Sequence, residues 1–204
     1  QLNSRKAEWI KNDVEEKLWN TKSNFFEVRK EKGDTLANVM EEIGFIPWYF
    51  NLPQARYSLA WKHLMNPKHF NAPAGITTAD RSHPGFRTHG CCKCEWDGAV
   101  WPFASAQTLT AMANLLNNYQ QKYVSKSDYF SQLMKYAHSQ HANGRPYIGE
   151  YMDEKTGKWL TDDERGRSYN HSTFNDLVIT GLVGLRRRAG HLRGHDDQGG
   201  QREL

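Results

Sequence analysis

The chain has 204 residues, with 27 Lys and Arg against 23 Asp and Glu and a formal charge of +4. That length is enough for one domain with a sizeable core. A mean hydropathy of −0.83, with no apolar run near the ~18–20 residues of a bilayer crossing, leaves no membrane span to expect. Much of the basic excess sits at the end, where Arg186, Arg187, Arg188, Arg193 and Arg202 face Asp196, Asp197 and Glu203 in a Gly-rich tail. Nucleic-acid binding needs a basic stripe on a folded face, so no nucleic-acid partner is expected.

In chain order, Ser4 to about Glu31 places Ala7, Ile10, Val14 and Leu18 at helical spacing and predicts a long helix closed by Gly33. A short helical piece is expected over Leu36–Glu42. Pro47 and Pro53 forbid a continuous helix through the aromatic stretch that follows, and Pro53 suits the start of a helix reaching about Met65. Residues 66–103 are rich in Pro and Gly yet hold Phe70, Phe86, Trp96, Trp101 and Phe103. They predict an ordered loop over a functional face. Helices are expected at Ser105–Tyr119, at Ser127–His141 with Ser127 as cap, and at Ser172–Leu185. Between the last two runs a second loop, Asn143–His171. No strand alternation is evident, so the fold class is all-α. Residues 189–204 have too few apolar side chains to order themselves and are expected to be a disordered tail.

Three loop segments carry chemistry. In Glu95–Phe103, Trp96 and Trp101 flank a flexible Gly98 and can offer flat faces to the apolar side of a sugar ring. Asp97 can accept two hydroxyl hydrogen bonds through its two oxygens. An aromatic plug for the helical core is the plain alternative. Glu150, after Gly149 and between bulky neighbours, is suited to activating water at an anomeric carbon. Asp153 and Glu154 lead into a Lys-Thr-Gly sequence that predicts a solvated turn. Finally, Tyr169, Asn170, His171 and Ser172 open an apolar helix. Capping by Ser172 or Asn170 explains only part of that cluster.

Taken together, these segments resemble the inverting glycoside hydrolases built on an (α/α)6 toroid, the clan that includes trehalase, processing α-glucosidase and mannosylglycerate hydrolase. The likeness runs through Gly44–Pro53, Gly75–Ala79, Cys94–Leu116, Arg145–Trp159 and Tyr169–Arg188. It is strongest to the mannosylglycerate hydrolase type. The resemblance implies that Glu150 is the general base, keeping the family's spacing to Thr156-Gly157. It also implies that Trp48, Tyr49, Trp96, Asp97, Trp101, Tyr169 and His171 face the sugar. No cofactor and no metal are implied, and a periplasmic or extracellular location is favoured.

The chain departs from the family pattern at Ala99, which replaces Pro, and after Arg186, where Arg-Arg replaces Pro-Arg and the Gly-rich tail begins. The family's general acid, an Asp in a Glu-Ser-Gly-Trp-Asp type motif upstream of Gly44, has no counterpart here. The expectation is therefore that residues 1–188 form the C-terminal half of the catalytic domain, a partial (α/α)6 toroid whose N-terminal half is missing. Such a fragment is expected to be inactive alone. Two other readings stand beside this one. The first is a non-catalytic carbohydrate-binding remnant. The second is a metal-binding module on His89, Cys91, Cys92 and Cys94, with His83, His138 and His141 as further ligands. It is the weaker, because a structural zinc site usually needs a second, separated ligand pair.

Overall fold

The structure, a computed structural model, describes residues 2–87, 96–161, 164, 166, 169 and 173–186. The cysteine cluster, His89, Asn170, His171, Ser172 and the 189–204 tail lie outside them.

Helix α1 spans Leu2–Leu18 and ends well before Glu31. Trp19 and Asn20 leave the helix as strand β1, which pairs with β2 at Phe25–Phe26. Helical spacing overshot here because a tight hairpin draws Phe25 and Phe26 into the core, which a continued helix could not do for both. Glu27 fixes this hairpin, accepting hydrogen bonds from Asn20 Nδ2 at 2.9 Å and Ser23 Oγ at 2.7 Å. Glu15 then ties α1 to the next segment by accepting from the Gln54 backbone N–H and side-chain amide at 2.8 and 2.9 Å.

No regular helix forms over 36–41. A 3-10 turn at Glu42–Phe45 runs into the short helix α2, Ile46–Tyr49, with Pro47 in its first turn. The segment after Pro53 is 3-10 rather than α-helical, at Ala55–His63. These short pieces are not held by propensity. Phe25, Phe26, Phe45, Trp48, Trp61 and Phe70 interlock with ring centroids 4.7–5.6 Å apart. Each fully buried ring of this size contributes roughly 1.5–3 kcal/mol.

Helix α3, Pro102–Asn118, is the axis of the molecule. Ala104, Ser105, Ala106, Thr108, Leu109, Ala111, Met112, Ala113 and Leu115 bury it on nearly every side, the pattern of a central helix. It packs on α2, on α4 (Lys126–Ser139) and on the C-terminal turns. The cap of α4 is Ser125, not Ser127. Ser125 Oγ accepts from the Asp128 N–H, and Asp128 Oδ2 accepts from the Ser125 N–H at 2.8 Å, a reciprocal capping box. After α4, β3 (His141–Ala142) pairs with β4 (Arg145–Pro146). The final helix is described from α5, Phe174–Asp176, and continues as a π-helical turn, Leu177–Leu182. Tyr129 Oη donates to the Leu177 carbonyl at 2.9 Å. The fold is thus helix-rich, as expected, with two two-residue ladders among the described residues that the sequence did not betray.

The Pro- and Gly-rich loop is ordered over its described parts. Asn71 Oδ1 accepts from Gln132 and Lys135 of α4 at 2.8 and 2.7 Å. Thr78 Oγ1 accepts from the Gly98 N–H at 3.1 Å, tying the middle of the loop to its later part.

Candidate functional site

Two loops meet at the N-terminus of α3. Val100 and Met152 exchange backbone hydrogen bonds of 3.0 and 2.9 Å, and Met152 also pairs with Trp159. The 96–101 and 147–161 segments therefore form one irregular patch of sheet. Its turn is built by Asp153, whose Oδ1 accepts from the Lys155 and Thr156 N–H groups at 2.9 and 2.7 Å. Gly157 closes the turn at a left-handed φ of +68°, a conformation that costs other residues energy. The turn is not solvated throughout as expected: Glu154 is fully buried, with Lys155 Nζ 3.9 Å away.

On this patch three rings stack. Trp101 lies between Trp96, at a centroid distance of 4.1 Å and 21°, and Tyr151, at 4.8 Å and 12°. Both faces of Trp101 are therefore covered by protein, and only 1% of it is exposed. It braces the stack and has no face to give to a sugar. Trp96, by contrast, is 43% exposed.

Glu150 adjoins Tyr151 in the chain and is 3% exposed. Its backbone N–H donates to Thr161 Oγ1 at 3.4 Å. The Thr161 carbonyl in turn accepts from Tyr147 Oη at 2.8 Å. The carboxylate is thus held within packed surroundings, not left in bulk water.

The other expected residues divide. Asp97 joins the patch, but its Oδ2 is engaged by Arg87 Nε at 2.6 Å. Only the buried Oδ1, which has no hydrogen-bond partner among the described residues, remains for a hydroxyl. Trp48 is 0% exposed and sits in the aromatic core against Phe26 and Trp61. It cannot face a sugar, because apolar burial has claimed both faces. Tyr49 is exposed but pairs with Phe50. Its carbonyl is held by Asn114 Nδ2 at 2.8 Å, about 18 Å along α3 from Pro102 at 1.5 Å per residue. Tyr169 is exposed, and His171 lies outside the described residues. Sequence reasoning missed Tyr151 as the third ring; its place beside Glu150, facing Trp101 across the Val100–Met152 pairing, was the available signal. It also missed Glu42, which is buried beside a cavity next to Trp96.

Among the described residues no group of three or more His, Cys, Asp or Glu could hold a metal ion. No helix among them is long and apolar enough to cross a membrane.

The mannosylglycerate hydrolase MGH1-like glycoside hydrolase domain matches residues 2–172 of the chain. Among solved structures, a chain described as a sialidase is 60% identical with a TM-score of 0.85, over 91% of this chain and 17% of that one. The GH63 mannosylglycerate hydrolase from Thermus thermophilus in complex with glucose is 15% identical with a TM-score of 0.56, over 79% of this chain and 36% of that one. A conserved protein from the same organism is 18% identical with a TM-score of 0.56, over 83% and 37%. At the two lower identities the likeness concerns the fold alone. The chain spans well under half the length of each of these three. No curated protein matches it.

Proposed function

The chain belongs to the mannosylglycerate hydrolase MGH1-like glycoside hydrolase family, and from that membership we propose that it is the C-terminal half of an (α/α)6 toroid that hydrolyses an α-glucoside or α-mannoside with inversion. The observation that supports this most is the buried Glu150, next in the chain to Tyr151 of the Trp96–Trp101–Tyr151 stack. In this reading Glu150 is the general base. It takes a proton from water as that water attacks the anomeric carbon, while Trp96 holds the apolar face of the ring and Asp97 Oδ1 accepts from a hydroxyl. Inversion needs a second carboxyl group roughly 6.5–9.5 Å away to protonate the leaving oxygen. This chain has no Glu-Ser-Gly-Trp-Asp type motif, so the acid is assigned to the other half of the toroid.

That other half is also the proposed partner. Phe50 and, near the end of the described chain, Leu182, Val183 and Leu185 are exposed. Neighbouring helices of a closed ring would cover them. The name sialidase belongs to a chain most of which lies outside the match.

The test is turnover of a panel of α-linked disaccharides by the full-length protein, with the anomer of the released sugar followed by NMR. Glu150→Gln is expected to lower kcat by roughly 10²–10⁴-fold, and the first-formed anomer is expected to be β. Ordinary turnover in Glu150→Gln, or an α product, defeats the proposal. Binding without turnover in the full-length protein would favour a carbohydrate-binding role.

A further inference from the structure

The end of α4, the turn after Met152 and the loop residues Pro73 and Ala74 bound an open cleft of ≈ 390 Å³. Trp96, Asp97 and Glu150 take no part in its wall. Lys135, His138, His141 and Lys155 do, and no Asp or Glu lines it. A cleft lined by one sign of charge concentrates ligands of the other sign.

Lys135 is the most telling of these. Its Nζ donates to Asn71 Oδ1 and to the Ala72 carbonyl, each at 2.7 Å. That leaves one of an ammonium's three N–H donors unused. Burial lowers its pKa, and no charged partner among the described residues opposes the shift. A half-buried ammonium that meets only neutral oxygens still calls for an anion. Lys155 Nζ lies 3.9 Å from Glu154 Oε1, beyond hydrogen-bond reach, and its side chain is 69% exposed. Thr156 Oγ1 accepts from the Lys158 N–H at 3.3 Å, which leaves its own O–H to donate. Attraction to the carbonyl end of α4 accounts for His138. It does not account for two lysines and a second imidazole around the same space.

We propose that this cleft binds a phosphate dianion, free or as the ester of a small alcohol. The site goes beyond the hydrolase reading, since none of the residues given to the sugar lines it. Two ammonium groups and two imidazoles suit a dianion better than the single charge of a carboxylate, and lysine binds phosphate as a compact point charge. Pro73, Ala74 and Met152 supply an apolar wall for the carbon chain of an ester. A phosphate held by Lys155 and Thr156 fastens the turn that begins at Asp153, three residues after Glu150.

Calorimetric titration of the full-length protein at low ionic strength tests this, with inorganic phosphate, glycerol phosphate and, as a monocarboxylate control, lactate. Either phosphate is expected to bind about tenfold more tightly than lactate. Lys135→Met is expected to weaken phosphate binding about tenfold, and Lys155→Met about threefold. Because Lys135→Met also removes two hydrogen bonds to the loop, the double variant Lys155→Met with Thr156→Val, at two exposed positions, keeps the test independent of folding. Tighter binding of glycerol phosphate than of inorganic phosphate identifies the occupant as an ester, and equal affinities identify it as free phosphate. Failure of both phosphates to bind, lactate binding as tightly as they do, or unchanged affinity in the double variant overturns the proposal. Glu150→Gln should bind phosphate like the parent, so this site and the hydrolase reading fail separately.

Discussion

At Gly149 a Cβ would stand 2.5 Å from Trp159 Cε3 and 2.8 Å from Tyr147 Cε1, in collision with both rings. Gly149→Ala is therefore expected to destabilise by about 1–3 kcal/mol through overpacking, seen as a lower urea midpoint, and to reduce turnover by displacing Glu150. His63 gives a pH signature. Its Nε2 donates to the Ser23 carbonyl at 2.9 Å, and burial lowers its pKa from 6.5 to about 4. The unfolded chain takes up this proton near 6.5 and the folded chain does not, so stability is full above that value and is lost as pH falls toward 4. Thermal melts at pH 7 and 5 should differ by about 1 kcal/mol more in the parent than in His63→Gln, once partial solvent screening is allowed for. At this scale the sequence was legible in part. Glu150 between bulky residues signalled a held carboxylate, and Trp96 signalled an exposed ring. Trp48 and Trp101 carried the same signal and are buried, because side-chain type does not say which face of a loop the core will take. A buried Glu42 reads in sequence like any surface Glu.

Among the elements, α3 and α4 were legible because their apolar residues recur with helical period and a Ser–Asp pair marks the start of α4. Ser125→Ala is expected to cost about 1 kcal/mol by removing the capping box, whereas Ser127→Ala should be nearly silent. Denaturant titration of the two variants distinguishes the caps. The stretches misread from sequence, from Trp19 to Phe26 and from Leu36 to Tyr49, are those where long-range packing of aromatic rings outweighs weak local preference. The final helix was expected at Ser172–Leu185; its described part runs from Phe174 to Leu182, and its π-helical register was hidden. Gly181 lets the Tyr129 hydroxyl approach so closely that any side chain there would collide with it.

For the whole molecule, the motifs conveyed the family and the number of helices suggested a partial ring, while no local pattern reports what covers an exposed face. If the open surface is the seam of a ring, Val183→Lys with Leu185→Lys should lower dye binding and self-association of this chain. In the full-length protein the same pair should lower its stability. Light scattering and denaturant titration read the two arms. A finding that the pair leaves self-association unchanged, or leaves the full-length protein as stable as before, would count against the seam.

The reciprocal pairing of Val100 and Met152 has a dynamic corollary. Since each residue donates to the other's carbonyl, neither amide can open to deuterium without releasing both. The ring stack and the acidic loop should then loosen as one cooperative unit, their amides exchanging in step and ahead of those in the middle of α3.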